Sequence, residues 1–228
     1  MKKMIPCLAR PSDPNDGPRG SVENTGFVVI DAPFQVRSAR GRVGCSVAAL
    51  AALLLCSHSA QPWQVVAEVL TDPARKKEYE GGLEEATELS RKKGVVKALN
   101  QPAEWMEHKL YHIAPPLDKR DYVFKCTWIA SKSADGKASY TLAMVNADAP
   151  SKPASQPGVV RGWVTCSYTL VALTHERTEL SVKVNLDPMG NFPLCLAKLY
   201  GSAYPGMALK RVKMQSLKVL KEKSPSGN

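Results

Sequence analysis

Apolar residues recur along this chain with two different periods, and the change between them divides it into elements. Pro62-Trp-Gln-Val-Val-Ala-Glu-Val-Leu70 opens on proline and places Val66, Val69 and Leu70 on one side, which is helical spacing. Thr71-Asp72-Pro73 ends it, Ala74–Glu80 predicts a second short helix, and Gly81-Gly82 breaks the chain. From Glu85 onward the period moves toward two. Ala86–Ser90 and Val95–Leu99 flank Arg91-Lys92-Lys93-Gly94 and predict a hairpin, and Trp105–Ile113 predicts a further strand.

Asp121–Ile129 alternates most clearly. Tyr122, Phe124, Cys126 and Trp128 share one side, and Val123, Lys125, Thr127 and Ile129 share the other. Both sides are partly apolar, which predicts a strand covered on both faces. After the turn Ser133–Lys137, the strand Ser139–Asn146 carries the row Tyr140, Leu142 and Met144. Val159–Leu173 predicts one long strand, with Trp163, Thr165 and Ser167 on a common side, and Glu179–Leu186 predicts another. Asp187-Pro-Met-Gly190 stops the sheet. Asn191 as N-cap and Pro193 in the first turn predict a closing helix to about Leu217. Phe192, Leu196, Leu199, Ala203, Met207 and Arg211 fall along one stripe of it, and Pro205 predicts a kink. The expected class is α+β, a curved antiparallel sheet wrapped around a long C-terminal helix.

The ends differ from this body. Residues 1–26 are rich in proline and glycine without apolar rhythm and are expected to form an unpacked tail. Phe27–Ile30 is a short strand candidate that opens a domain spanning 27–218, and 219–228 is expected to be a basic tail. The most apolar window, Val43–Cys56, follows Arg37, Arg40 and Arg42 and has two readings. It is a buried core segment or a late-starting signal or anchor. Its fourteen residues are short for a membrane span, which takes about 20.

Composition narrows the function classes. The chain has 228 residues, 44% hydrophobic and 23% charged, which fits one globular domain and excludes a disordered polymer. Seventeen prolines and fifteen glycines argue against an all-helical bundle. The six cysteines (7, 45, 56, 126, 166 and 195) never form a CxxC pair and four histidines add no zinc spacing, so no metal site is assigned. A reducing, cytoplasmic setting is expected. The net charge is +10, and the last nineteen residues hold Lys210, Arg211, Lys213, Lys218, Lys221 and Lys223 against Glu222. That cluster is a solvated helix end or a weakly lipid-attracting surface. No RNA-binding or helix-turn-helix pattern accompanies it, so nucleic acid is not the expected partner. His108 and His112 would stand about 13 Å apart on a strand, too far for one metal ion. No GxSxG, GxGxxG or P-loop occurs, and no catalytic residue is assigned.

Four blocks in order carry a family resemblance. They are Trp63-x-x-Val66-x-x-Val69-Leu70-x-Asp72 with Tyr79, then Ala114-Pro-Pro-Leu-x-x-Arg120-Asp-Tyr-Val123, then Gly162-Trp163, and Asp187-Pro-x-Gly190-x-x-Pro193-x-x-Leu196. Together they span about 60–218 and resemble START (steroidogenic acute regulatory protein-related lipid transfer) domains. The resemblance implies a helix-grip fold with an apolar tunnel that holds one lipid or sterol without changing it, and transfers or senses it. It implies no cofactor and no metal. A monomer with transient, peripheral contact to anionic membranes is expected. Tyr122, Phe124, Cys126, Trp128, Tyr140, Leu142, Met144, Trp163, Leu196, Leu199, Ala203 and Met207 are the candidate tunnel wall. Cys126 occupies a position where several sterol-binding relatives carry a basic residue. Arg120 and Asp121 point to opposite faces by strand alternation, so one forms a salt bridge to a neighbouring element or one meets a ligand headgroup. Two other readings stay open: a helix-grip enzyme of cyclase or hydrolase type, and a partner-binding domain whose pocket is closed by its own side chains.

Overall fold

The computed structural model describes residues 22–31, 62–91, 94–113, 115–152, 157–174 and 176–223. The window Val43–Cys56, and with it the choice between its two readings, lies outside the described residues. Within them, β1 (Val22–Asp31) is followed by α1 (Pro62–Thr71) and α2 (Pro73–Tyr79). Then come β2 (Leu83–Arg91), β3 (Val95–Val96), β4 (Gln101–Pro102), β5 (Glu104–Tyr111), β6 (Lys119–Lys132) and β7 (Ala138–Asn146). The chain continues through β8 (Val159–Arg161), β9 (Trp163–Ala172), β10 (Arg177–Asp187) and α3 (Leu194–Lys223). The main sheet runs β1-β10-β9-β7-β6-β5-β2 with every pairing antiparallel, and β8 joins β6 in parallel. A large antiparallel sheet with a long C-terminal helix packed on β1, β10 and α1 is the helix-grip α+β arrangement expected from the pattern.

Local chemistry explains the helices. Asp72 accepts a hydrogen bond from the Ala74 N–H at 2.9 Å, so it caps α2, and Pro73 occupies the first turn, where its missing N–H costs nothing. In α1, Val65, Val66, Ala67, Val69 and Leu70 are all buried, because the helix is enclosed by the sheet and α3. Trp128 reaches across from β6 to donate to Thr71 Oγ1 at 3.3 Å.

Several sequence expectations change. The strand Ala86–Ser90 does not pair with Val95–Leu99; β2 pairs with β5, and β3 pairs with β4 across the turn 97–100. Asn100 takes the left-handed conformation that this turn requires (φ 53°), and Leu99 is buried in the core. The long strand at 159–173 is two strands, broken at Gly162, where a Cβ would overlap the Tyr122 ring. Only the first half of β6 is covered on its outer face: Asp121 and Val123 are buried there, whereas Ile129 is 49% exposed.

The limits also move. β1 starts at Val22, inside the segment expected to be a tail, and pairs with β10 through residue 31. The closing helix starts at Leu194, three residues after the expected cap, and continues through Pro205 to Lys223. Residues 219–223 therefore belong to the fold, with Val219 fully buried and Lys223 paired with Glu68 on α1. The buried stripe of α3 is Pro205, Ala208, Leu209, Val212, Ser216 and Val219, rotated from the expected one, and Met207 is 43% exposed. The helix is 30 residues long with apolar side chains on several sides, so spacing alone leaves the inward face open.

Candidate functional site

The concave face of the sheet is divided in two. Toward one side, Trp105, Cys126, Trp128 and Leu142 pack in the core with α1. Toward the other, the sheet and α3 leave a cavity of about 400 Å³. Its wall follows the strand registers. Lys109 on β5 lies opposite Tyr122 on β6, Met144 on β7 opposite Cys166 on β9, and Cys166 and Val164 opposite Val184 and Leu186 on β10. Phe124 completes this wall, Tyr204, Met207 and Ala208 of α3 close it, and Gly81, Gly82, His112 and Arg211 lie at its exposed margin. Tyr111, Tyr122 and Phe124 form an aromatic run, edge-on at 5.6 Å and then stacked at 6.1 Å.

Charges are buried at one end. Trp105, Glu107, Lys109 and Tyr111 alternate along β5 onto the same, inner face. Lys76 of α2 donates to Glu107, which also accepts from Trp105 Nε1 at 3.1 Å. Lys109 Nζ donates to Glu80 Oε1 at 2.6 Å and lies 3.4 Å from Glu107 Oε1, and the Tyr111 hydroxyl donates to Glu80 Oε2. Two ammonium groups and two carboxylates thus balance in a buried network that ties α2 to β5, and Glu80, Lys109 and Tyr111 line the cavity. Burial alone would raise the Glu107 pKa, but the Lys76 and Lys109 charges and their hydrogen bonds outweigh it and hold it at about 2. Lys109 is also buried, yet Glu80 and Glu107 keep its pKa well above the ordinary value, so it is a fixed cation and not a nucleophilic amine. Burial raises the pKa values of Tyr79, Tyr111, Tyr168 and Tyr204, whose hydroxyls stay neutral, and pushes the Cys166 thiol to about 12, which removes thiolate chemistry at neutral pH.

Arg120 and Asp121 do point to opposite faces. Arg120 turns inward, buried, and donates to the carbonyls of Pro188 (2.7 Å), Asp118 (2.7 Å) and Met189 (3.3 Å), with its guanidinium 5.4 Å from the Phe192 ring centre. It fastens the turn before α3 to the start of β6 and forms part of the cavity wall. Asp121 turns outward and is held by Arg161 at 2.9 and 2.8 Å and by His108 Nε2 at 3.2 Å. Burial lowers the His108 pKa, so this set joins β5, β6 and β8 through one carboxylate and a neutral ring.

Of the expected wall, Tyr122, Phe124, Met144 and Met207 line the cavity. Cys126, Trp128 and Leu142 face the same way but pack in the core where α1 fills the concave surface, and Tyr140 sits half-buried beside them. Trp163 is a correction: Val164, Tyr168 and Leu170 are the inward positions of β9, so Trp163 takes the opposite face. Leu196 is half-buried away from the cavity, and the side chains of Leu199 and Ala203 lie outside the described residues. Sequence reasoning missed Glu80, Lys109, Tyr111, Tyr168 and Tyr204. The available signal was the period-two row Trp105, Glu107, Lys109 and Tyr111, which puts two charges on the face of a tryptophan.

Replacing Gly162 tests this wall. Gly162→Ala is expected to drive the Tyr122 ring toward the cavity and to lower stability by about 1–3 kcal/mol, the usual cost of overpacking. A crystal structure with an unmoved ring and unchanged cavity would contradict the expectation.

A large antiparallel sheet, a long closing helix and a mostly apolar, partly open cavity between them make up a START-like helix-grip fold. Solved structures with this fold bear that out. Human STARD10 superposes with a TM-score of 0.58 at 18% identity over 74% of this chain and 63% of that one, so this chain spans less than two thirds of it. The human StarD13 lipid transfer and protein localization domain gives 0.57 at 13% identity, covering 85% and 76% of the two chains. A STAR-related lipid transfer protein from Xanthomonas axonopodis gives 0.51 at 20% identity, covering 69% and 80%. At these identities the likeness is one of fold. No protein-family model matches the chain, and no curated protein sequence matches it. No helix among the described residues is long and apolar enough to cross a membrane.

Proposed function

We propose that the protein binds one lipid-like molecule in the cavity between sheet and α3 and carries it without chemical change. The observation that supports this most is the cavity itself. Its volume, about 400 Å³, falls within the range of about 300–1,000 Å³ for small-molecule sites, and its wall is mostly apolar with a few polar groups at one end. The names of the structural neighbours, which describe lipid transfer, support the same reading. Burial of the ligand's apolar surface supplies the affinity, at about 25 cal/mol per Å² removed from water. The ionised and neutral states of Lys109, the tyrosines and Cys166 fit a binding site, since none of them is an activated nucleophile.

The test is to fill the cavity from the helix. Ala208 is buried on α3 and lines the cavity, so Ala208→Trp should abolish retention of a bound molecule seen by native mass spectrometry of protein purified from cell extract. Equal ligand retention by the variant and the parent would overturn the reading.

Transfer between membranes is the use we infer for such a site. Met207, Lys210 and Arg211 are exposed on the stretch of α3 beside the cavity, an apolar and basic surface suited to an anionic bilayer. Further along α3 the charge is partly cancelled, because Lys218 pairs with Glu78 at 3.2 Å and Lys223 with Glu68. Lys210→Glu should therefore slow fluorescent-lipid transfer from anionic vesicles at low salt and leave transfer from neutral vesicles unchanged. Equal rates from both vesicle types in the parent protein would rule out this use of the surface.

A further inference from the structure

The polar end of the cavity has a composition that selects among ligands. Lys109 is 3% exposed, lines the cavity and carries a fixed positive charge. Among the described residues its ammonium makes one close hydrogen bond, to Glu80 at 2.6 Å, with Glu107 at 3.4 Å and the Phe124 ring centre at 5.5 Å. An ammonium group has three N–H donors, so donor capacity remains beside an aromatic face. A buried donor without a partner is costly, and a ligand atom that accepts from it recovers that cost.

The same cluster disfavours a further negative charge. The two carboxylates already balance Lys76 and Lys109, and both stand within 3.4 Å of the Lys109 nitrogen. An incoming anion would lose its hydration and meet these two carboxylates at close range. Of the two arginines on the wall, Arg120 directs its donors to the carbonyls of Asp118, Pro188 and Met189, and Arg211 lies at the exposed margin, where one of its N–H groups donates to the Tyr79 carbonyl at 3.3 Å.

We propose that Lys109 is the specificity-determining group of the cavity, and that the ligand is an uncharged molecule with a hydrogen-bond acceptor oxygen on a flat, ring-containing body. The oxygen accepts from the Lys109 ammonium, and the rings lie along Tyr122 and Phe124. This rests on the binding function proposed above and narrows it from lipid-like molecules in general to a small neutral one. At about 400 Å³ the cavity sits at the low end of the small-molecule range, which also disfavours a two-chain phospholipid.

Three probes of one shape separate the contributions: 2-acetylnaphthalene has the acceptor without charge, 2-naphthoate has acceptors with a negative charge, and 2-ethylnaphthalene has neither. Titrated into the full chain after ligand stripping, the ketone should bind at least about tenfold more tightly than either of the others. Lys109→Met should erase the advantage of the ketone over the hydrocarbon. Because that variant leaves Glu80 without its cation, the charge-balanced pair Lys109→Met with Glu80→Gln, which retains Lys76 and Glu107 as partners, serves where the single change does not fold. In Glu80→Gln alone the cluster gains a net positive charge, and naphthoate should gain on the ketone. Equal binding of ketone and hydrocarbon, or a preference for naphthoate in the parent protein, would overturn the proposal. So would retention of a two-chain phospholipid or a sterol with no binding of the three probes, an outcome that leaves the general binding function standing. Failure to hold any probe, phospholipid or sterol would overturn both.

Discussion

Glu107→Ala should lower the stability of the protein by about 3–5 kcal/mol, the cost of leaving a buried charge without its partner. The side chain is 2% exposed and serves both Lys76 and Lys109, with Trp105 Nε1 as a further donor. Its removal leaves the Lys76 ammonium, which is 1% exposed, with no carboxylate hydrogen bond among the described residues. The pH dependence carries the same signature. The Glu107 pKa falls from an ordinary 4.5 to about 2 on folding, so its contribution is complete above pH 4.5 and is lost as the pH falls toward 2. Urea denaturation of the parent should show a falling midpoint over that window, and the slope should be shallower in Glu107→Gln. Parallel profiles for the two proteins would show that Glu107 does not titrate in this way.

Arg120→Met should both destabilise the fold and speed ligand exchange. The guanidinium donates to three backbone carbonyls, on Asp118, Pro188 and Met189, and packs over Phe192. Methionine keeps the apolar stem and removes every donor, so these part-buried carbonyls are left to water, at about 0.5–1.5 kcal/mol for each bond lost. The turn that these bonds fasten leads directly into α3, and both Pro188 and Phe192 line the cavity. Loosening it should raise the dissociation rate of a bound fluorescent probe by more than the equilibrium affinity changes. Arg120→Lys should rescue little, because a lysine cannot span three carbonyls with a rigid fork. An unchanged dissociation rate in Arg120→Met would place the route of exchange elsewhere.

Local elements whose chemistry is contained in a few neighbouring residues were legible from the chain alone. Proline at the starts of α1 and α2, Asp72 as a cap, and the alternation along β6 each act over one turn or one pleat, and the structure follows them. The order of elements then implied a sheet closed by a helix, and the blocks around Arg120, Trp163 and Asp187 pointed to the helix-grip arrangement. The opposite orientations of Arg120 and Asp121 followed from strand geometry alone.

Which strands pair, and which half of the inner sheet face stays empty, depends on packing between distant segments. Ala86–Ser90 had an adjacent apolar run to pair with, yet β2 pairs with β5, and a short turn that buries Leu99 closes β3 onto β4. Tyr122, Phe124, Cys126 and Trp128 are equivalent by alternation, but α1 packs on one half of the face, so the first two meet the cavity and the last two meet the core. The inward face of α3 is likewise set by packing, since its apolar residues occupy more than one side. The buried charges were the least legible. Lys76 and Glu80 lie in the predicted short helix 74–80 with no local signal of burial, and only their juxtaposition with Glu107 and Lys109, about thirty residues away in the chain, lets them be buried. A charge enters the interior when partners from distant segments meet it there, and no local window of sequence contains both sides of that balance.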